Sequence, residues 1–279
     1  MGPARFEILE TAGGSVYPII GSPVEQVKSP LFFNRYFSDF GVEARMMAID
    51  VYPSELEGFF TRLRESRSAK GCVVTVPHKA ASVAFVDRLS GRAATLGALN
   101  VVRVEGGRLS GDMVDGLGFL AAVESRGFSC ANKRIGIVGL GAAGSAIAHA
   151  AASGGASEIA IQERDSRRHE FAEETLKPLF PEVEWTMGMA SLERFDLIVN
   201  ASPVGMNGDP CWPVPLDSVS PNCLVMDLVT KPKTTPFLGA AMERGCEVVY
   251  GAEMIRGQFK RMGRFMGLDI PDSYRPDVE

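Results

Sequence analysis

Two sets of residues in this chain have the types and spacing to do chemistry. The first is the glycine series Gly139, Gly141 and Gly144, spaced G-x-G-x-x-G inside the stretch IGIVGLGAAG at 135–144. An apolar strand signal precedes it and an alanine-rich helix signal at 145–152 follows, which is the setting in which this spacing cradles a pyrophosphate. The first glycine permits the tight turn, the second lets backbone approach the phosphates, and the third lets the helix pack on its strand. Phosphate oxygens would face unpaired N–H groups at a helix N-terminus, so Gly139, Gly141, Ala142, Ala143 and Gly144 are the candidate contacts.

The second set could move a proton. Removing a hydride from a secondary alcohol requires a base for the hydroxyl proton, and the reverse reaction requires the same group as an acid. In VVTVPHKAA, Pro77 stops a strand at 72–76 and leaves His78 and Lys79 at its carboxyl end, the edge where open α/β sheets bind ligands. In GDMVDGLG, Asp112 and Asp115 sit in a glycine-bounded loop just before the nucleotide-binding strand. A lysine near an aspartate in a partly desolvated cleft can have its pKa tuned and pass a proton. The plainer reading of pattern alone makes Lys79 and Asp115 surface charges at loop ends, and His78 a loop histidine rather than a base.

Past the glycines, a second apolar strand signal at 158–161 ends in Gln162-Glu163-Arg164-Asp165. An acidic side chain there accepts hydrogen bonds from the adenosine ribose hydroxyls, and Glu163 is the candidate. The same carboxylate repels a ribose 2′-phosphate, which favours NAD over NADP. Arg164 could stack on adenine or pair with that phosphate, so NADP stays open. The plain alternative is a solvated strand-to-helix turn.

Elements able to position these residues are legible along the chain. Short apolar runs at 16–20, 44–50 and 71–76 alternate with helix signals at 30–40 and 54–66, the rhythm of strands joined by crossover helices in a mostly parallel sheet. A hairpin follows around Gly106-Gly107, then a helix signal at 116–126. The alternation resumes with EIAIQ, VEWTMG, DLIVNAS, CLVMDLV and CEVVYG. Two α/β units are thus written in series. The last segment, 252–268, carries Met254, Ile255, Phe259, Met262, Phe265 and Met266 at helical spacing. That stripe reads as core, and the helix is expected to cross back onto the first unit.

Composition narrows the class. With 279 residues, 46% of them hydrophobic, the chain can bury a sizeable core. A net charge of −5 and a pI near 5.4 leave no broad basic surface, which argues against nucleic acid as a partner. The five cysteines are scattered singly, without C-x-x-C pairs or histidines at ligand spacing, so neither a metal site nor a disulfide framework is indicated and a reducing cytoplasm fits. The N-terminus has no apolar core of signal-peptide length. Residues 135–157 lack Lys, Arg, Asp and Glu, but their six glycines and strand-turn-helix grammar argue against a membrane span.

Eight motifs in order, GSPVEQVKSPLFFN, VVTVPHK, GALN, GDMVDG, GLGAAG, NASPVGM, MDLVTKPKTTPFL and GAEMIRGQ, resemble the shikimate and quinate dehydrogenase family from Tyr17 to Gly267. The resemblance implies an N-terminal α/β substrate domain with a mostly parallel sheet (1–114 and 251–279), a Rossmann NAD(P)-binding domain (115–250), and a substrate site in the cleft between them. It implies Lys79 and Asp115 as the proton-transfer dyad, Asn100 as partner of a ring hydroxyl, Thr75 and Gln258 in the same pocket, and Ser29 at the substrate carboxylate. Ala201, Ser202 and Met206 of NASPVGM would lie near the nicotinamide, although 200–203 also reads as an ordinary strand-end turn.

Two departures from the family pattern stand at the acid end of the substrate. Val27 occupies the place of the first serine in the family's S-x-S-P motif, and Thr230 stands where a tyrosine is common. A partner left unpaired in a buried pocket costs about 1–3 kcal/mol. The expectation is retained hydride chemistry with a remodelled carboxylate pocket, aided by Lys28 or suited to quinate or a related cyclic hydroxy acid. Glu163-Arg164-Asp165, in place of the N-R-T of NADP users, resembles the NAD-using members. The leading reading is an NAD(P)-dependent alcohol dehydrogenase, monomeric or homodimeric, with a small hydroxy acid as its partner and neither nucleic acid nor membrane. The competing readings are a catalytically weak sensor that binds dinucleotide and ligand, and a non-redox enzyme that uses NAD structurally.

Overall fold

Runs of β-branched and aliphatic residues, too short for helices and separated by amphipathic stretches, fold into two six-stranded sheets. The computed structural model describes residues 3–25 and 27–276. The chain divides into two units, one comprising the residues through Val114 together with those from Gln258 onward, the other Asp115–Gly257.

The first unit is built from β1 (Ser15–Gly21), α1 (Ser29–Asp39), β2 (Ala44–Asp50), α2 (Leu56–Glu65), β3 (Gly71–Val74), β4 (Arg88–Leu89), α3 (Gly91–Leu96), β5 (Val101–Glu105) and β6 (Arg108–Asp112). Its sheet runs β2-β1-β3-β5-β6-β4. β1 is parallel to β2 and β3, whereas β5 is antiparallel to both β3 and β6. The β5–β6 hairpin closes on Gly106 and Gly107, with φ of 57° and 76°, a left-handed turn that glycine adopts without steric cost. Helix α2 buries Leu56, Phe59, Phe60 and Leu63, one face at helical spacing, in the core formed with Ile20, Val74 and Leu109.

The second unit comprises α4 (Asp115–Glu124), β7 (Arg134–Val138), α5 (Ala142–Ser153), β8 (Glu158–Gln162), α6 (Ser166–Phe171), a π-turn leading to α7 (Lys177–Leu179), β9 (Glu184–Met187), β10 (Leu197–Asn200), β11 (Leu224–Asp227), α8 (Pro236–Glu243), β12 (Val248–Tyr250) and the first turns of α9 (Gly251–Phe265). Its sheet is wholly parallel, in the order β12-β11-β10-β7-β8-β9. The strand order reverses between β7 and β10, and at such a switch point the strand ends open a crevice for a ligand.

Helix α9 belongs to both units. Its first turns pack within the second, where a Cβ on Gly257 would lie 2.6 Å from the Gly118 carbonyl oxygen and Arg126 pairs with Glu253 at 2.8 Å. Its last turns serve the first, where the Phe259 ring meets Phe33 edge-on at 4.8 Å. The return to the first unit therefore falls at Gln258, inside the helix, rather than at 251. The strand expected at 72–76 ends at Val74, because the chain turns at Thr75, whose carbonyl accepts the His78 N–H at 2.9 Å. The short α3 and β4, the helical run after β8, and α8 carry too few residues or too weak a period to stand out in the sequence.

Candidate functional site

The three glycines have separable physical reasons. Gly139 has φ of 87°, and a Cβ there would come within 3.1 Å of the Ser202 backbone nitrogen. A Cβ on Gly144 would sit 2.0 Å from the Gly139 carbonyl oxygen, so the start of α5 lies directly on the turn. Gly141, the N-cap of α5, is different: a Cβ there would meet nothing nearer than the Arg168 guanidinium at 3.8 Å. The space above Gly141 is the space a pyrophosphate needs. A cavity of about 730 Å³ opens there, lined among others by Gly139, Gly141, Glu163, Arg168, Ser202 and Pro213. Its volume and its position at strand ends beside a helix N-terminus fit a dinucleotide. Ala142 and Ala143 stand half-buried in the first turn of α5, and Met206 is exposed and outside the lining.

Glu163, at the end of β8, is engaged by the protein itself. Its carboxylate accepts the backbone N–H groups of Leu140 at 2.7 Å, Arg164 at 2.6 Å and Asp165 at 3.1 Å, and Arg168 Nη1 at 3.0 Å. Burial pushes its pKa up, but these donors outweigh burial and hold it at about 2. Four donors match the roughly four lone-pair sites of a carboxylate. Glu163 thus ties the glycine turn to the loop after β8, and Arg168 comes to lie beside Gly141.

Beyond the turn, Asn200 and Asp227 end the adjacent strands β10 and β11, both without solvent exposure. Asn200 Nδ2 donates to Asp227 Oδ1 at 3.0 Å and to the Val204 carbonyl at 3.0 Å, while Asn200 Oδ1 accepts the Ser202 N–H and hydroxyl. Asp227 also accepts from Thr235 Oγ1 at 2.6 Å and from the Val229 N–H at 3.0 Å. Burial raises the Asp227 pKa and these bonds oppose it. The NASPVGM turn is therefore a fixed structure that sets Ala201 and Ser202, both half-buried, against Gly139. Thr230 lies half-buried in the loop that Asp227 and Thr235 hold.

In the first unit, candidates gather at the carboxyl ends of β1, β3 and β6. A Cβ on Gly21 would strike Thr75 Cγ2 at 2.5 Å, so glycine is needed for β1 to end against Thr75. The Leu99 N–H donates to the Lys79 carbonyl at 2.9 Å, and the neighbouring Asn100 N–H donates to the Asp112 carbonyl at 2.9 Å. Asn100, 1% exposed, accepts the Val114 N–H on Oδ1 at 2.9 Å. Asp115, 2% exposed, is the next residue and the first of α4. His78 is buried, with Nε2 on the Val51 carbonyl, a core role and not that of a base. Val27 and Ser29 are half-buried where the chain enters α1, and Gln258 is buried in α9.

A doubly wound sheet with an open glycine turn, joined to a second α/β unit, defines a dinucleotide-binding protein. Residues 19–102 match the family model of the shikimate dehydrogenase substrate binding domain. The chain is 34% identical over 256 residues to the shikimate dehydrogenase (NADP(+)) of Moorella thermoacetica, covering 88% of this chain and 85% of that one. It is 35% identical over 250 residues to that of Methanopyrus kandleri, covering 86% of each. Among solved structures it is similar to shikimate 5-dehydrogenase of Thermus thermophilus in complex with NADP(H) and shikimate (29% identity, TM-score 0.83, 92% of this chain and 95% of that). It is also similar to the ligand-free 5-ketofructose reductase of a Gluconobacter species (27% identity, TM-score 0.82, 92% and 94%). The chain belongs to the shikimate/quinate dehydrogenase family and is an NAD(P)-dependent alcohol dehydrogenase of that type. Among the described residues no helix is long and apolar enough to cross a membrane, and no cluster of His, Cys, Asp or Glu is placed to hold a metal.

Sequence reasoning missed Arg168, Gln162 and the wall formed by Met189–Leu192 and Pro213–Ser218. Arg168 lies in the first turn of α6, one turn past the loop residues 163–165, and no spacing in the sequence singles it out. The wall comes from loops after β9 and β10, for which the sequence carries no periodic signal.

Proposed function

We propose that this chain interconverts a secondary alcohol and a ketone on shikimate, quinate or a related cyclic hydroxy acid, with Lys79 and Asp115 as the proton-transfer pair. One observation carries the reading: Lys79, Asn100 and the residue preceding Asp115 are held in one hydrogen-bonded set of turns, through Leu99 N–H to Lys79 O and Val114 N–H to Asn100 Oδ1. Gly139, Gly141 and the N-terminus of α5 would hold the dinucleotide, which when bound supplies the hydride acceptor or donor. Lys79 Nζ receives the hydroxyl proton on oxidation and returns it on reduction, and Asp115 holds the ammonium in place. Asn100 orients a ring hydroxyl. Lys79→Ala and Asp115→Asn should each lower kcat by about 10²- to 10⁴-fold while leaving cofactor affinity in place. Activity near that of the unsubstituted chain in both variants would defeat the assignment.

The curated relatives named above are shikimate dehydrogenases, which supports shikimate as the reference substrate. Val27 and Thr230 support a carboxylate pocket that differs from the family's usual one, with shikimate turned over weakly and another cyclic polyol acid preferred. Similarity to a reductase named for a keto sugar is compatible with a family whose members differ in substrate. Steady-state NADH formation over a panel of shikimate, quinate and uncharged cyclic polyols tests this. Efficient shikimate turnover at micromolar KM would overturn the remodelled pocket, and absence of turnover on every member would favour a binding protein instead.

For the cofactor, a free Glu163 carboxylate would favour NAD. With that carboxylate filled by four donors and Arg168 beside it, we infer that both NAD and NADP are accepted, without strong discrimination. The NADP(+) in the relatives' names supports the second. The ratio of kcat/KM for the two cofactors tests it, a preference for either beyond about 100-fold (about 2.7 kcal/mol) being incompatible.

A further inference from the structure

We infer that Arg92 and Asp112 form a positioning pair that sets the turn delivering Asp115, an inference that rests on the proton-transfer reading above. Asp112 is the last residue of β6 and is 3% exposed. A carboxylate so buried requires compensation by donors and a cation. It has both: Ser90 Oγ donates to Oδ1, Arg92 Nη2 donates to Oδ2, and the Met113 N–H donates to Oδ1 at 2.7 Å. Ser90 and Arg92 come from the start of α3, where Ser90 also caps the helix by accepting the Ala93 N–H, and the Ser90 N–H is tied to the Gly111 carbonyl at 2.9 Å.

The connection to the chemistry runs through the main chain. The Asp112 carbonyl accepts the Asn100 N–H, and Asn100 Oδ1 accepts the Val114 N–H. Two consecutive N–H groups, of Met113 and Val114, are thus fixed by side-chain oxygens of Asp112 and Asn100, and the next residue is Asp115. Arg92 Nε has no partner among the described residues, so Asp112 is what fixes the guanidinium. The Arg92 side chain is 35% exposed and is not among the residues of the apolar core. A small displacement of a reacting group costs far more in rate than in fold stability.

The test is steady-state and solvent-isotope kinetics on Arg92→Ala, Arg92→Lys and Asp115→Asn, each normalised to folded protein by thermal unfolding and to cofactor-competent protein by NADPH titration. Arg92→Ala should lose about 10- to 100-fold in kcat, with NADPH affinity unchanged and a larger solvent deuterium effect on kcat. Arg92→Lys should recover part of the loss, because an ammonium can reach the same carboxylate. A kcat per folded molecule unchanged in Arg92→Ala overturns the pair, as does an equal loss in the Lys variant. Asp115→Asn separates the two claims: if it is inactive and Arg92→Ala is not, only the positioning pair fails, whereas an active Asp115→Asn defeats the proton-transfer reading itself.

Discussion

Asn200 and Asp227 end neighbouring parallel strands and bond to each other at 3.0 Å in a place from which solvent is excluded. Neither can point at a ligand. Together they fix the two loops that leave β10 and β11, and so decide where the peptide of Ser202 stands against the glycine turn. Asn200→Ala leaves Asp227, the Val204 carbonyl and Ser202 each short of a partner, at a cost of about 2–4 kcal/mol in unfolding free energy. Urea titration followed by tryptophan fluorescence is suited to the measurement, since Trp185 and Trp212, the only two tryptophans, both lie in the unit concerned. The cofactor KM should rise with it.

Glu163 gives the second unit an acid sensitivity of known sign. Its folded pKa is lowered from 4.5 to about 2 by the N–H donors around it. The stabilisation is complete above the unfolded value of 4.5 and is lost as the pH falls from there toward 2. Glu163→Gln carries no such charge, so its melting temperature should fall less steeply than that of the unsubstituted chain over that window. Parallel curves below pH 4.5 would show that the carboxylate contributes nothing there.

The glycine turn predicts opposite outcomes for two similar substitutions. Gly144→Ala places a methyl 2.0 Å from the Gly139 carbonyl, so the helix must shift off its strand and the melting temperature should drop by several degrees. Gly141→Ala meets no protein atom nearer than 3.8 Å, so its melting temperature should hold while its affinity for dinucleotide falls about tenfold or more. Calorimetric melting and NADPH titration on the two proteins check both statements.

In the first unit, Phe259→Ala empties a site that is 2% exposed and removes the ring packed on Phe33. The expected loss is about 3–5 kcal/mol. Near-normal denaturant stability would mean that α1 closes onto α9 without the ring.

Much of the frame was legible because periodicity and turn chemistry are local properties. All the strands but the two-residue β4, the β5–β6 hairpin and the phosphate turn follow from alternation, glycine placement and short apolar runs. The saturation of Glu163 was not, since three of its four donors are backbone N–H groups whose direction depends on how the loop folds and not on which residues it contains. The same holds for Asp112, which stood out as an acid near Asp115 but whose partner Arg92 lies in a short helix of weak period. Loop-borne cavity walls were illegible for the same reason.

The interrupted course of the first unit has a consequence for biosynthesis. Everything between Asp115 and Gly257 is contiguous and can mature as it leaves the ribosome, while the amino-terminal sheet waits for Phe259, Met262, Met266 and Ile270, all of them buried and made only after the whole of that unit. Truncation ahead of Phe259 therefore strikes the opposite end of the polypeptide, exposing the apolar flank of α1 in a molecule whose nucleotide-binding half is already formed.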